Sequence, residues 1–574
     1  MNPATRGGPE LSHGWRVGIL VSILFACIVP VLQFSLLFPL TSEMPTWDQW
    51  SEVEVWAAHF QHRPVLPLLL RPYNGHLNIL PRMLFFALGL VTHWNVRVEV
   101  IASYVVCAGT LGILLLMLRD SGPRMLVLAA PVAFSVFSLA QYENFLSGYP
   151  LGQNLSVFAS LLSIFLLTRR DPRENRFGIA IAAALAASLC WGGAASIWVV
   201  GLLAVATDPT RRRARAGVWI CVAAVSLILA KNAASSGGVS VAWRRLVPFF
   251  LVIVGRPYSL AVSPPLRAAA ALGICVSLLF FGLLAHGIRG ASEDLGRVRR
   301  WGLIGLLALG SAALIAMGRS YSGLHQALAS HYVTSTSLLG TATLVLLFGR
   351  LVESGKTAAR FGKAFSSAAV LVAILSTTQT VVASWRWLPV LRGWSYTLRR
   401  DVEAFADGTA TDEQIREAIY PNPAAARDAL EWVKQYRLGP FRHSSAPLSP
   451  IGSVDRIAGQ PPSSTEVIRV PEGAWEVLGW AANSRVAGGL VHRVELALDG
   501  RVIGTAELGL TRPDVALAFN SEDFRRTGWR VQVAGPVIPD SGTHRLSVAI
   551  HGAGGQVKRI DAGTIALGKS KGIP

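Results

Sequence analysis

Trp47-Asp48-Gln49-Trp50 sets a carboxylate between two indoles, just beyond a long apolar run over residues 14–40. Indole rings favour the interfacial layer of a bilayer, where one edge meets hydrocarbon and the other water, so Asp48 is expected near the depth of a lipid head group. A carboxylate there, close to cationic groups, can serve as general base toward a hydroxyl once a substrate brings that proton within hydrogen-bond reach. The same residues also fit a plain helix start. Thr46 with Gln49 three residues on is a capping-box pattern, and Asp48 suits a helix N-terminus on dipole grounds. Further along the loop come Glu52, Glu54, His59, His62 and Arg63, which read as a solvated loop-helix face with no recognised metal-ligand spacing. Asn74-Gly75-His76-Leu77-Asn78 then leads into Pro81-Arg82.

A second constellation is Gly318-Arg319-Ser320-Tyr321-Ser322-Gly323, continuing to His325, Ser330, His331 and Tyr332. Arg at the outer end of a span can clamp a lipid phosphate with two parallel hydrogen bonds, and Tyr, Ser and His add donors around it. The alternative is an Arg that snorkels from a helix end. Arg256 in Arg256-Pro257-Tyr258, and Arg82, are further candidates for the anion. The third constellation is Gln141-Tyr142-Glu143-Asn144-Phe145, with Gln153 and Asn154 opening the next apolar segment. An acidic, amide-rich turn among aromatics suits sugar hydroxyls, and it equally suits the capping of two helix ends. Asn154 reads as such a cap, Glu143 is open to either role, and Trp191-Gly192-Gly193 reads as a tight turn between two spans.

These residues must be positioned by a membrane-embedded scaffold. The 574 residues are 52% hydrophobic and 15% charged, with a mean hydropathy of +0.43, a balance that soluble chains of this length rarely show. Apolar runs of about 17–25 residues, enough to cross a hydrocarbon core of roughly 30 Å, recur to about residue 384 and then stop. The net charge of +19 lies in Arg clusters between those runs, so it reads as orientation by the positive-inside rule and not as a nucleic-acid surface. Cys27, Cys107, Cys190, Cys221 and Cys275 all fall in apolar runs and read as small core residues, not as disulfide or metal ligands. The first run lacks a small-residue cleavage site and reads as a retained signal anchor.

Placing the basic loops Arg119 to Arg124, Arg169 to Arg176, Arg211 to Arg215, Arg289 to Arg300 and Arg350 to Lys363 inside, with Arg6 and Arg16, predicts about eleven spans. These cover residues 14–40, 97–118, 124–140, 152–168, 177–191, 194–207, 215–232, 265–287, 301–318, 334–350 and 364–384. The N-terminus is then cytoplasmic and the C-terminal region extracytoplasmic. Residues 77–91 contain Pro81 and Arg82, and a full crossing there would put every later basic loop on the wrong face. They are therefore expected to form a juxtamembrane or re-entrant helix. Residues 240–262, interrupted by Trp243, Arg244, Arg245 and Arg256, are expected to form an interfacial helix. This topology gathers the loops bearing Asp48, Glu143, Arg319 and His331 on one outer face.

A first outer loop with an Asp after the first span, many spans and an outer C-terminal domain resemble the GT-C class of integral-membrane glycosyltransferases. The runs Trp47-Asp48-Gln49-Trp50, Asn74-Gly75-His76 to Pro81-Arg82, Gln141 to Phe145 and Gly318-Arg319 to Ser330-His331-Tyr332 are similar to a bacterial subset of that class. The resemblance implies transfer of a sugar from a polyprenyl-phosphate-linked donor to a glycan or glycolipid acceptor, with inversion, at the outer face of a bacterial plasma membrane. It implies Asp48 as the base that deprotonates the acceptor. Arg319, then His331, Arg82 and Arg256, would stabilise the departing phosphate, and Trp47, Trp50, His76, Glu143, Tyr321 and Tyr332 would line the acceptor and sugar. The chain has no Asp-Asp or Asp-x-Asp pair, and His331 stands where a second Arg is expected. A divalent cation is thus left open as a cofactor, with no metal ligand assigned. Rival readings are a transporter or flippase for lipid-linked saccharide, whose site would lie near the midplane, and a membrane-anchored polysaccharide-binding protein. Few ionisable residues lie away from the span ends, which argues against proton-coupled transport.

Beyond the membrane part (1–384), residues 385–443 carry helical spacing in Trp387, Leu391, Trp394, Leu398 and Val402 and then in Ile415, Ile419, Leu430, Trp432 and Val433, and predict an outer helical collar. The Pro/Ser-rich stretch 444–464 reads as a linker. Residues 465–574 predict an all-β sandwich: Val494, Leu496 and Leu498 alternate, turn at Asp499-Gly500 and resume at Val502-Ile503, with further strands at 476–482, 529–533 and 544–550. Trp480 and Trp529 are candidates to stack on a sugar, with core packing as the alternative.

Overall fold

The apolar runs become helices and the alternating runs become strands in a computed structural model that describes residues 11–73, 77–169, 175–207, 212–235, 242–259, 264–289, 295–353, 362–406, 408–443, 450–482, 491–519, 524–534, 542–552 and 556–567. The chain divides into two compact units: Met1–Gln49 with Leu69–Pro421, and Trp50–Leu68 with Asn422–Pro574. Trp50–Leu68, expected within the membrane part, belongs to the same unit as the C-terminal residues.

In chain order the first helices are α1 (His13–Leu37), α2 (Val53–Phe60), α3 (Leu66–Leu70), α4 (Ile79–Thr92), α5 (Val96–Asp120), α6 (Ala129–Val136), α7 (Glu143–Leu146) and α8 (Leu151–Thr168). They are followed by α9 (Asn175–Cys190), α10 (Ser196–Ala206), α11 (Arg212–Ser235), α12 (Trp243–Gly255), α13 (Leu266–Arg289), α14 (Leu295–Arg319), α15 (Val333–Glu353) and α16 (Gly362–Ala406). Among the described residues, eight helical segments are long and apolar enough to cross a membrane: His13–Leu40, Val96–Asp120, Pro123–Gln141, Leu151–Thr168, Arg213–Lys231, Leu266–Arg289, Leu295–Ser322 and Ser330–Arg350. They coincide with eight of the expected spans.

Of the other expected spans, two are present as shorter helices and one is part of a longer helix. Those at 177–191 and 194–207 are α9, of 16 residues, and α10, of 11, or about 24 and 17 Å long at 1.5 Å per residue. The turn expected at Trp191-Gly192-Gly193 falls between them, as the 3₁₀ turn Gly192–Ala195. The span at 364–384 is the first half of α16, which runs for 45 residues through Pro389. The expected break before a separate collar does not occur: Trp387, Leu391, Leu398 and Phe405 are all buried and continue one helical stripe. The 14 residues of α4 span about 21 Å, less than a hydrocarbon core. α12 is not a purely surface helix. Its first turn exposes Trp243, but Phe249 and Val252 to Gly255 are buried. It crosses α13 so closely that a Cβ on Gly255 would meet the Ala269 carbonyl oxygen at 1.8 Å.

In the second unit, α17 (Asp412–Gln414) having closed the first, α18 (Pro423–Gln435) packs on α2. Phe60 stacks on Tyr436 at 4.1 Å, and Tyr436 on Trp432 at 5.1 Å. A last helix, α19 (Pro513–Phe519), lies among nine described strands: β1 (Ile451–Ile457), β2 (Ser463–Val470), β3 (Trp475–Ala482), β4 (Arg493–Leu498), β5 (Arg501–Thr505), β6 (Glu507–Leu510), β7 (Gly528–Val533), β8 (His544–His551) and β9 (Val557–Leu567). They form two sheets, ordered β1-β3-β7-β6 and β2-β9-β8-β4-β5. The sheets share one core, in which Val477, Trp529 and Val531 of the first meet Val494, Leu496 and Val548 of the second. The β4–β5 hairpin turns at Asp499 (φ 49°) and Gly500 (φ 83°), the positive-φ pair that a two-residue turn needs to match strand twist. The expected linker at 444–464 is corrected by β1 and by the start of β2. β1 buries Ile451, Val454 and Ile457 with a register shift between Val454 and Arg456. That irregularity spaces its apolar residues by three and hides the period of two.

Candidate functional site

The loop bearing Asp48 is fixed from both sides. Trp47 takes a left-handed conformation (φ 51°), an uncommon one for a bulky residue, and opens a 3₁₀ helix over Trp47–Glu52. The Gln49 side chain accepts from the Thr46 N–H at 3.1 Å and donates to Glu99 Oε2 at 2.8 Å. The first of these bonds is half of the expected capping box. Glu99 lies in the first turn of α5 and is 2% exposed. Gly148 packs against it so tightly that a Cβ there would lie 2.3 Å from Glu99 Oε2. Asp48 Oδ1 accepts the Tyr73 hydroxyl at 3.0 Å. Burial pushes the Asp48 carboxyl above the usual carboxylate range, and the Tyr73 hydrogen bond and the fields of Arg319 and His331 pull it only partly back. A carboxylate so placed is a stronger base than one in water.

Arg319 ends α14 and His331 lies in the 3₁₀ turn Ser330–Tyr332 before α15. Both reach Asp48 electrostatically. Among the described residues no hydrogen bond or ion pair engages the Arg319 guanidinium, so its donors are available to an anion. His331 is held instead. Its Nδ1 lies 2.5 Å from Glu143 Oε2, and its backbone N–H donates to the same oxygen at 3.3 Å. The Glu143 N–H in turn donates to Ser330 Oγ at 3.1 Å. Burial favours a protonated Glu143, yet the bonds and charge of His331 hold its carboxyl below the ordinary value. Asn144 Nδ2 donates to the His331 carbonyl at 3.2 Å.

Beside this pair, burial and then Glu143 push the Tyr142 hydroxyl up to about 12, against the pull of Arg256. The Tyr142 ring packs on Trp387 at 4.8 Å, and the Arg256 guanidinium lies 5.5 Å from the same ring. Arg256 also donates from Nε to the Leu328 carbonyl at 3.1 Å. Burial lowers its pKa from the ordinary arginine value, and Tyr142 and Glu143 oppose that.

The expected site residues therefore part company. Asp48, Arg319, His331 and Glu143 share one neighbourhood, with Tyr332, 4% exposed, edge-on to the His331 ring at 4.2 Å. Trp47 and Tyr321 keep open rings, at 48% and 46% exposure. Trp50 is 3% exposed, which leaves no ring face for a sugar. Arg82 is buried and donates to the Arg71 carbonyl at 3.1 Å, and Arg256 is buried as above. His76, with Asn74 and Gly75, lies outside the described residues. Asn154 is not a cap. It lies inside α8, whose N-cap is Pro150, is 1% exposed, and its side-chain polar atoms pair with nothing among the described residues. Trp529 is wholly buried in the sandwich core, and Trp480 packs edge-on to Phe519 at 5.4 Å. Tyr73 and Glu99 were not among the expected site residues, and Trp387 was expected only as part of a helical stripe; Tyr142 and Ser330 lay within the expected constellations without an assigned partner. Only adjacency to Asn74 hinted at Tyr73. Among the described residues no three His, Cys, Asp or Glu side chains assemble as metal ligands.

Compared with protein-family models, curated proteins and solved structures, the chain matches none.

Proposed function

We propose that this chain is a membrane glycosyltransferase of GT-C type, which moves a sugar from a polyprenyl-phosphate donor to a hydroxyl of an envelope glycan or glycolipid. The reading rests on one observation above others. A half-buried carboxyl with a raised pKa, Asp48, stands in the field of an arginine, Arg319, whose donors no described protein group takes up.

In the proposed reaction Asp48 takes the proton of the acceptor hydroxyl as its oxygen attacks the anomeric carbon. The bond from that carbon to the phosphate oxygen breaks on the opposite face, which inverts the centre. The bonding pair leaves with the phosphate, and Arg319 neutralises the charge that develops there. Tyr73 orients the carboxylate. The open rings of Trp47 and Tyr321 suit the apolar faces of a saccharide. The eight long apolar segments, α9, α10 and the first half of α16 would together make eleven crossings of a bacterial plasma membrane, with the N-terminus cytoplasmic and the C-terminal unit outside. α9 and α10 are counted despite their length, and α4 is not, because only that count keeps every basic loop on one side.

The test is a transfer assay on the purified full chain with synthetic polyprenyl-phosphate-linked hexoses and pentoses and an oligosaccharide acceptor. Asp48→Asn should slow transfer at least about a thousandfold, as expected when a base acting on the reacting atoms is lost. Transfer that survives the substitution unchanged rules out Asp48 as the base.

A further inference from the structure

Glu143 was expected to meet sugar, but its carboxylate is spent on His331: one oxygen receives both the ring Nδ1, at 2.5 Å, and the backbone N–H of that residue. An imidazole anchored through Nδ1 to a carboxylate presents Nε2 with a fixed ring orientation, and the carboxylate stabilises the imidazolium. Among the described residues Nε2 has no hydrogen-bond partner, and the His331 side chain keeps 28% of its surface. The charged and titratable groups around His331 come from five segments. Asp48 lies in the first loop, Arg319 ends α14, Tyr142 and Glu143 lie at α7 with Arg256 beyond them, and Tyr332 adjoins it in sequence.

Proton bookkeeping gives this arrangement a task. With a base alone, each turnover leaves a proton on Asp48 and a dianionic lipid phosphate in the site. That phosphate has a second pKa near 6, close to that of an ordinary imidazole, about 6.5, so a proton can pass between them with little driving force needed.

We propose that His331, positioned by Glu143, is the general acid of the transfer, an inference that rests on the proposed glycosyltransferase reading. As the bond from the anomeric carbon to oxygen breaks, Nε2–H gives its proton to a departing phosphate oxygen. Asp48, which has taken the acceptor proton, returns one to His331. Donor monoanion and neutral hydroxyl become neutral glycoside and lipid-phosphate monoanion, and both side chains regain their starting states. His331 is catalytic in this scheme, and Glu143 is a positioning residue.

The test is the pH dependence of transfer by the full-length protein, with the synthetic polyprenyl-phosphate sugars above. Wild type should give a bell: an acidic limb from Asp48 and a basic limb from loss of the imidazolium. His331→Gln should lower kcat about a hundredfold and abolish the basic limb. Glu143→Gln should lower kcat about tenfold with KM little changed, because the ring loses its fixed orientation, and Glu143→Asp should partly restore it. Transfer by wild type whose basic limb survives in His331→Gln overturns the acid role while leaving the base reading intact. If the variants fold poorly, the wild-type profile decides: a rate that rises with pH and stays flat to pH 9 also overturns it. Absence of transfer at every pH, with any of the donors, overturns both readings together.

Discussion

At the scale of single residues, Asp48 carries a tension between folding and its proposed role as a base. Its folded pKa lies above that of the unfolded chain, so the fold holds its proton more tightly. That contribution to stability is full below the unfolded pKa and is lost as pH rises through the folded one. Near neutrality the ionised carboxylate is a net burden, and Asp48→Asn should melt no lower than wild type in a thermal scan while losing transfer. A lower melting temperature would mean that the carboxylate holds the fold together. Tyr73→Phe removes a hydrogen bond that favours the charged form. The Asp48 pKa should then rise further, and the acidic limb of kcat/KM should move up by about one pH unit. Asp48 was legible because a carboxylate between two indoles after an apolar run is a local pattern. Tyr73 was not, since 25 residues separate it from Asp48 and no spacing rule joins them.

At the scale of elements, the site depends on how closely α5, the Asp48 loop and the segment before α8 approach one another. Gly148 is the tightest point, with Glu99 where its side chain would be. Gly148→Ala must displace Glu99, and with it the buried bond to Gln49 that anchors the loop. Overpacking of this kind costs about 1–3 kcal/mol. The expected outcome is a lower melting temperature together with transfer reduced about tenfold or more. An unchanged melting temperature would show that the loop does not depend on this contact. Helices were legible wherever an apolar run ended in charged loops, as in α5 and α14. They were misread where a helix ran on past its apolar half, as α16 does. β1 hid behind its irregular register.

At the scale of the whole molecule, charge asymmetry makes a sided prediction. Single cysteines placed at Ser463 and at Arg213, in a chain with its native cysteines replaced, should react oppositely with a membrane-impermeant maleimide added to intact cells. The first should label and the second only after lysis, as the proposed orientation with the Arg-rich loops inside requires. Labelling of Arg213→Cys in intact cells would reverse the proposed orientation and move Asp48 to the cytoplasmic face. Of the native cysteines, Cys107 and Cys190 are buried, while Cys27, Cys221 and Cys275 are exposed on helices within the apolar segments.

Sequence alone determined the division into an apolar helical part and a C-terminal β part, eight long apolar helices, the β4–β5 hairpin and the prominence of Asp48. Each follows from local periodicity or from composition, which the chain carries wherever it folds. Tertiary structure decided which polar residues meet. It gave Glu143 to His331 and Gln49 to Glu99, buried Trp50, Arg82 and Asn154, left Arg319 with open donors, and brought Tyr73 to Asp48. Those outcomes depend on contacts between residues far apart in the chain. Packing and the need to satisfy buried polar groups select such partners, and no short-range pattern encodes the choice.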